Sequence, residues 1–258
     1  MERFAGSQEE QQPQPPPVGT PVTVRLPVRK PWVTYGLIGI TIAVFLLQLL
    51  SQSTSHDGVD WPFLLGGKIN AYILRGELWR LVTPALLHGS LLHIAFNMYA
   101  LFSLGSSLER YYGHGRFLVL YIIGSFCGNS LSFLLSPNPS LGASTAVFGL
   151  VAAEGVFIYR NRRLFGSRAR AMLSNLVLIV VVNLLIGLQP GIDNWGHLGG
   201  LAGGALFAWM AGPLLLLQQT STGYELQDSR LSGGLRWGIL LSAGLFSAMV
   251  ISRFITGD

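Results

Sequence analysis

The sequence predicts an all-α membrane protein, built as a polytopic bundle of seven helices. Half of its residues are hydrophobic and only 11% are charged, whereas about 25% is usual for soluble chains. Because so few charges cannot cover a water-exposed surface, most of the surface is expected to face lipid. In lipid every backbone polar group must be satisfied internally, which favours helices over open sheets.

Seven apolar stretches carry this prediction, because a bilayer core about 30 Å thick needs about 20 apolar residues in a helix. Glu154 is the one formally charged residue inside them. The predicted spans are Trp32–Leu50, Leu91–Leu108, Phe117–Leu135, Leu141–Tyr159, Ala171–Leu188, Gly196–Leu217 and Trp237–Ser252.

The segments outside the spans predict a tail, an interfacial loop and an orientation. Residues 1–30 are polar and proline-rich and are expected to be a disordered tail, because they bury too little to offset chain entropy. Segment 51–90 contains WPFLLGG and ELWRLVTPALL, which are apolar enough to lie in the membrane interface.

With a cytoplasmic N-terminus and an external C-terminus, 13 of the 17 basic residues fall inside, as the positive-inside rule requires. That scatter between spans also argues against a nucleic-acid-binding patch.

Five polar side chains are expected to converge in the outer half of the membrane, although they come from three different spans. His88, His93 and Asn97 belong to the outer end of the second span, Ser144 to that of the fourth, and His197 to that of the sixth. Strongly polar groups in a bilayer are costly and mark functional sites. A histidine can activate a serine hydroxyl, and Asn and His side chains can stabilise an oxyanion. The same residues could also act as polar contacts between helices.

Small residues predict a close approach of the fourth and sixth spans. The sixth span reads GHLGGLAGG, which pairs Gly199 with Gly203 and Gly200 with Gly204. The fourth span pairs Gly149 with Ala153 in the same way. Such pairs let membrane helices meet backbone to backbone, which would bring Ser144 and His197 together, although ordinary packing would use the same glycines.

The motifs as a set resemble those of the rhomboid intramembrane proteases. ELWRLVTPALLH, HGSLLHIAFN, LER, GASTAVFGL and GHLGGLAGG follow one another in the family's order from about Glu77 to Gly204. The resemblance implies a six-helix core with one added C-terminal transmembrane helix. The regions are then a cytoplasmic tail, 1–30, a rhomboid protease core, 31–218, and a linker with the last helix, 219–258.

The resemblance also implies a role for each site residue. Ser144 and His197 would form a catalytic Ser–His dyad, and His93 and Asn97 would form the oxyanion hole with the Ser144 backbone. Trp79 and Arg80 match the family's interfacial loop, and Glu109 and Arg110 match its charged pair, both with structural roles. The remaining active-site neighbours are His88, Gly142 and Thr145. The family usually has glycine after the nucleophile, and Thr145 at that position puts the rate and the substrate range in question.

The implied function is an intramembrane serine endopeptidase that cleaves transmembrane segments. The alternative within the family is a weak or inactive relative that binds transmembrane clients. The expected partners are transmembrane protein substrates and the lipid bilayer, with no cofactor and no metal, in a bacterial inner membrane or an organelle membrane. The oligomeric state is left open by the sequence.

Other chemistries fit less well. A zinc site needs about three converging ligands, but His88 and His93 are five residues apart on different helix faces, and no HExxH is present. Asp193 could approach His197 as a third catalytic residue, but a role at the start of the helix is the simpler interpretation. A transporter should contain internal repeats with interrupted helices, and the sequence contains none.

Overall fold

The chain folds as a bundle of long helices with one small sheet at one end. The structure is a computed structural model that describes residues 24–25, 29–220, 223–230 and 233–256. In chain order, the helices are α1 Trp32–Thr54, α2 Trp61–Gly66, α3 Asn70–Ile73, α4 Leu91–Ala100, α5 Ser106–Tyr112, α6 His114–Leu135, α7 Ser144–Arg160, α8 Arg162–Phe165, α9 Arg168–Ile186, α10 Asn194–Ala211 and α11 Gly234–Thr256. A π-helical segment, Leu101–Gly105, joins α4 to α5 as one continuous helix.

The predicted helical membrane class is confirmed, and each of the seven predicted spans falls on a helix. Among the described residues, five helices are long and apolar enough to cross a membrane: α1, α4 with α5, α6, α9 and α11. The other two, α7 and α10, are 17 and 18 residues long and do not meet that criterion. Both pack against α6 and against each other through glycine and alanine.

Most predicted boundaries differ from the structure by a few residues, and two of these differences have a clear local cause. The sixth span was expected to continue to Leu217, but α10 ends at Ala211, where Gly212 is extended and Pro213 follows. Proline supplies no N–H donor to continue a helix. The fourth span was expected to begin at Leu141, but α7 begins at Ser144, because Gly142 has φ +129° and forms a turn.

A three-stranded sheet, which the sequence analysis did not foresee, lies between α10 and α11. Strand β2, Leu215–Thr220, pairs antiparallel with β3, Gly223–Asp228, and β1, Val24–Arg25, pairs parallel with the other edge of β3. The remainder of the predicted disordered tail, apart from Arg29 and Lys30, lies outside the described residues. The sheet end of the bundle is called the opposite face below, and the end where α7 and α10 begin is called the site face.

The core of the bundle is the contact among α6, α7 and α10, where glycines replace side chains. A Cβ on Gly200 or Gly204 would overlap backbone atoms of α7 at Thr145 and Gly149. A Cβ on Gly199 would lie 2.5 Å from the Cys127 carbonyl oxygen in α6. One pair of α10 glycines therefore faces α7 and the other faces α6, so α10 is wedged between two helices at backbone distance.

The loop between α1 and α4 is folded rather than extended. Short helices α2 and α3 and the 3-10 turns Leu78–Leu81 and Thr83–Leu86 fill it. The Arg80 guanidinium is buried and donates to the Gly67 and Leu64 carbonyl oxygens and to Glu77. It thereby holds the end of α2 against the bundle, and α2 contributes one wall of the cavity described below.

A buried carboxylate fixes the start of α1 at the opposite face. Glu109 is fully buried and accepts hydrogen bonds from the backbone N–H groups of Val33 and Thr34, from the Thr34 hydroxyl, and from the His114 ring. These bonds satisfy N–H groups at a helix start, which have no partner within the helix. Glu109 therefore links α5 to α1 and α6.

Replacing Glu109 with Gln should destabilise the bundle, because a neutral amide cannot accept these bonds as strongly and brings donors that have no partner. Loss of charge-assisted bonds of this kind costs about 1.5–3 kcal/mol. The free energy of unfolding, measured in mixed detergent micelles, checks this. Arg110→Gln is the matched control, since Arg110 is adjacent and exposed; equal losses in both variants would contradict the role given to Glu109.

Candidate active site

Ser144 and His197 meet at the site face, at the first turns of α7 and α10. The His197 Nε2 atom lies 3.0 Å from the Ser144 Oγ atom, within hydrogen-bonding distance. The α10 glycines near this end lie against Thr145 of α7, which brings the two first turns together. A neutral imidazole that accepts the hydroxyl hydrogen at Nε2 is the arrangement that activates a serine.

The surroundings of His197 hold the ring without a carboxylate. The Phe148 ring stacks on the imidazole with centroids 4.2 Å apart and an interplanar angle of 7°. The His197 Nδ1 atom is buried and has no hydrogen-bond partner among the described residues. Phe148 was not singled out from the sequence, although its position one turn after Ser144 puts it on the same helix face.

Asp193 acts at the start of α10 rather than as a third catalytic residue. One carboxylate oxygen accepts from the Gly196 N–H at 3.0 Å, and the other accepts from the Ser132 hydroxyl of α6. An aspartate N-cap of this kind satisfies an N–H group at the helix start. The carboxylate therefore fixes the first turn of α10, on which His197 lies, and ties it to α6.

The turn before Ser144 is held from two sides. The Gly142 N–H donates to the Pro84 carbonyl oxygen at 2.9 Å. Two residues earlier, the backbone of Ser140 exchanges both of its hydrogen bonds with Lys68. The Lys68 side chain is fully buried, and its ammonium donates to the Ser136 and Asn138 carbonyl oxygens. Burial lowers the pKa of Lys68 to about 8, so the ammonium that holds this loop stays charged at neutral pH.

His93 and Asn97 approach Ser144 from α4, beside the positive end of α7. A Cβ on Gly142 would lie 2.8 Å from the His93 Nε2 atom, so the ring rests directly on the glycine backbone. The Asn97 Nδ2 atom donates to the His93 carbonyl oxygen at 2.9 Å, which leaves its second N–H available. His93 and Asn97 line the same cavity as Ser144, at the start of α7, where helix N–H groups have no partner within the helix.

His88 lies behind the turn and not in the cavity. The ring Nε2 atom accepts weakly from the Ala143 N–H at 3.4 Å. The backbone N–H of His88 donates to the side-chain oxygen of Gln48. Burial, together with the neighbouring His93, lowers the pKa of His88 to about 3. The ring is therefore neutral and can accept a bond from the turn, which makes His88 a support for the backbone before Ser144.

Thr145 fits at the position where the family has glycine because its neighbours are glycines. A Cβ on Gly128 of α6 would lie 2.6 Å from the Thr145 Cβ, and a Cβ on Gly196 of α10 would lie 3.0 Å from its Cγ2. The threonine side chain therefore occupies the slot that Gly128 and Gly196 leave open. This explains how a β-branched residue follows Ser144 without displacing it.

A cavity of about 850 Å³ opens at the site face and contains the candidate residues. His93, Asn97, Gly142, Ser144, Thr145, Phe148, Asp193 and His197 line it, with Phe63 of α2 and Asn183 and Ile186 of α9. The sequence-predicted site residues are thus together, except for His88. Among the described residues, no group of three or more His, Cys, Asp and Glu side chains is placed to hold a metal ion.

Comparison with known proteins agrees with this arrangement of motifs. A model of the Rhomboid domain matches residues 75–214, which is more than half of the chain. The chain is 42% identical over 177 residues to Rhomboid protease GluP of Bacillus subtilis, covering 68% of this chain and 34% of that protein. It is 34% identical over 201 residues to the chloroplastic RHOMBOID-like protein 9 of Arabidopsis thaliana, covering 77% and 46%.

A third relative is matched over similar shares of both proteins. Rhomboid-like protease 3 of Toxoplasma gondii is 33% identical over 182 residues, which is 67% of this chain and 68% of that protein. The chain spans only about a third to a half of the Bacillus and chloroplast relatives.

Replacing Gly196 with Ala should displace Ser144, because the new methyl would press on the Thr145 Cγ2, which Gly128 prevents from moving away. Overpacking of this kind costs about 1–3 kcal/mol. Adding Thr145→Ser removes only that methyl and should restore stability in part. Thermal unfolding and labelling of Ser144 by a fluorophosphonate check both effects. If the double variant is no better than Gly196→Ala alone, the slot does not constrain Thr145.

Proposed function

This chain belongs to the rhomboid family and is a multi-pass membrane protein, and on that premise we propose that it is a serine endopeptidase that cleaves transmembrane segments. The observation that carries the proposal is the 3.0 Å contact between His197 Nε2 and Ser144 Oγ in a cavity within the helix bundle. Relatives that are named rhomboid proteases support it.

In the proposed reaction, Ser144 attacks the carbonyl carbon of the scissile peptide bond. His197 takes the hydroxyl proton at Nε2 and then gives it to the leaving amine. The acyl-enzyme that results is hydrolysed by a water molecule, again with His197 as the base. Because His197 Nδ1 has no carboxylate partner in the part of the chain that the structure describes, the orientation of the ring depends on the Phe148 stack and on the fixed first turn of α10.

The oxyanion of each tetrahedral intermediate needs donors that are already in position. The Ser144 N–H at the positive end of α7, the second N–H of Asn97 and the His93 ring are proposed to supply them. The helix dipole favours negative charge at this point. His88 is proposed to hold the turn before Ser144 in place through its bond to the Ala143 N–H. It would not contact the substrate.

The proposed substrate is a transmembrane segment of another membrane protein. The cavity wall formed by Asn183 and Ile186 belongs to α9, a helix in which Ala169 alone is buried. Few contacts would be broken if α9 moved, so α9 and the loop Gln189–Trp195 are proposed to gate entry from the bilayer. A substrate helix must unwind to expose its backbone, so helix-breaking residues near the cleavage site are expected.

The other function considered is an inactive relative that binds transmembrane clients. Such a protein has no need to keep a serine hydroxyl and an imidazole in hydrogen-bonding contact. Reaction with a serine-directed probe separates the two functions, because a client-binding protein would not react.

Ser144→Ala should abolish cleavage of a transmembrane test substrate and labelling by a fluorophosphonate, since the variant has no nucleophile. Proteoliposomes that contain the full chain and a substrate with a central helix-breaking residue provide the assay. Ser140→Ala is the matched control, because Ser140 lines the same cavity without contacting His197. Cleavage by Ser144→Ala at the parent rate would remove Ser144 from the mechanism.

Asn97→Ala should lower turnover by about a hundredfold or more, because one oxyanion donor is lost. The kcat for the same substrate measures this, and KM should change little, since the bond forms in the transition state. Asn183→Ala, which removes another amide of the cavity, serves as the comparison. Equal small changes in both variants would exclude Asn97 as an oxyanion donor.

A further inference from the structure

A second concave surface lies on the membrane side of the bundle, away from the candidate active site. It is called the α7–α10 groove here, has a volume of about 550 Å³, and is lined by Ala152, Gly155, Val156, Tyr159, Leu198, Leu201, Ala202, Ala205 and Trp209. Small residues form its floor, and the lining is apolar apart from the hydroxyl and ring N–H at one end. Leu198 and Trp209 are eleven residues apart on α10, so the groove is roughly 16 Å long.

The groove ends in two aromatic rings at the opposite face. Tyr159 and Trp209 stack with centroids 6.4 Å apart, and both are about half exposed. Aromatic side chains with one polar end are typical of the boundary between hydrocarbon and headgroups. The groove therefore runs from beside the site face to the headgroup level of the opposite leaflet.

Guanidinium groups cover these two rings. The Arg160 guanidinium lies 4.9 Å from the Trp209 ring centroid, and that of Arg162 lies 4.8 Å from the Tyr159 centroid. Arg160 and Arg230 both donate to the Trp209 carbonyl oxygen. Two like charges thus converge on one atom, and burial and the nearness of Arg160 lower the pKa of Arg230.

Acidic side chains balance this charge only in part. Asp228 attracts Arg230, but its carboxylate forms an ion pair with Arg116 at 2.6 Å. Among the described residues, neither Arg160 nor Arg162 forms an ion pair. The groove is apolar, is as long as a helix of about three turns, and ends among these arginines at the interface. It is therefore complementary to one kind of molecule in the membrane.

We propose that the α7–α10 groove binds one anionic phospholipid. An acyl chain lies along Ala152, Gly155, Ala202 and Ala205, and the headgroup phosphate lies at the arginines around Tyr159 and Trp209. The phosphate relieves the repulsion between Arg160 and Arg230 and bonds to guanidinium groups through charge-assisted hydrogen bonds. Gly155 faces Leu176 of α9, so the bound chain also borders the helix that forms a wall of the candidate active site.

Native mass spectrometry of the full chain in detergent tests this with phosphatidylglycerol and phosphatidylcholine that carry the same acyl chains. The parent should bind phosphatidylglycerol more tightly. Arg162→Gln should reduce that affinity by about fivefold, the effect of one basic residue near an anionic headgroup, and should leave phosphatidylcholine binding unchanged. Ala202→Phe, at an exposed position of α10, should fill the groove and weaken binding of both lipids.

Two comparisons make the result decisive. Arg160 and Arg230 also cap the last carbonyl groups of α10. Among the described residues, the Arg162 side chain contacts Tyr159 near the end of α7 and no carbonyl group of α10. Arg162→Gln therefore reports on the ligand and not on the α10 cap. Arg110→Gln removes one exposed charge from the same face and should leave binding unchanged. Equal binding of the two lipids by the parent, equal losses in Arg162→Gln and Arg110→Gln, or unchanged binding in Ala202→Phe would each overturn the proposal.

Discussion

The backbone contact of α10 with α6 and α7 is the constraint on which the rest of the structure depends. Helices in lipid gain little from burying apolar side chains against one another, so close packing of small residues holds them together. Here the α10 glycines leave no room for a side chain on either flank. Contacts between backbone atoms therefore set the distance between the helix axes, and adjustable side chains do not. The distance between Ser144 and His197 follows from this spacing.

This constraint explains several features that are otherwise separate. It accounts for the glycine and alanine of α7 and α10, since these small residues lie where the two helices meet each other and α6. It also explains why Thr145 is tolerated, because its side chain occupies space that the glycines opposite leave free. Asp193 fixes the start of α10, and the Gly142 turn fixes the start of α7. Both act on helices that the backbone contact has already positioned.

The sequence was sufficient for the helical membrane class, for a helix at each predicted span, and for most of the polar residues that line the cavity. Hydropathy and topology locate a residue along the membrane normal, and the family motifs indicate which of the site residues act together. They do not give the direction of a side chain, so they identify His88 as an active-site neighbour without showing that it supports the turn from behind. The Phe148 stack likewise depends on the direction of its side chain.

The hairpin after α10 was missed for a different reason. Leu214–Leu217 is apolar and continues the hydropathy of the helix before it, and the alternation of a strand is too short there to be seen. The break is encoded by Gly212 and Pro213, and the strand is stabilised by pairing with a segment farther along the chain. Strand β1 comes from before α1, and pairing with so distant a segment cannot be deduced from local pattern alone.

The central claim is that a serine and a histidine on adjacent helices form one reactive unit beside preorganised donors. A crystal structure of the chain after reaction with an isocoumarin or a fluorophosphonate tests it most directly. The account predicts a covalent bond to Ser144 Oγ, His197 still adjacent, and the inhibitor oxygen directed at Asn97 and the start of α7. A bond to a different residue, or an oxygen directed away from those donors, would contradict it.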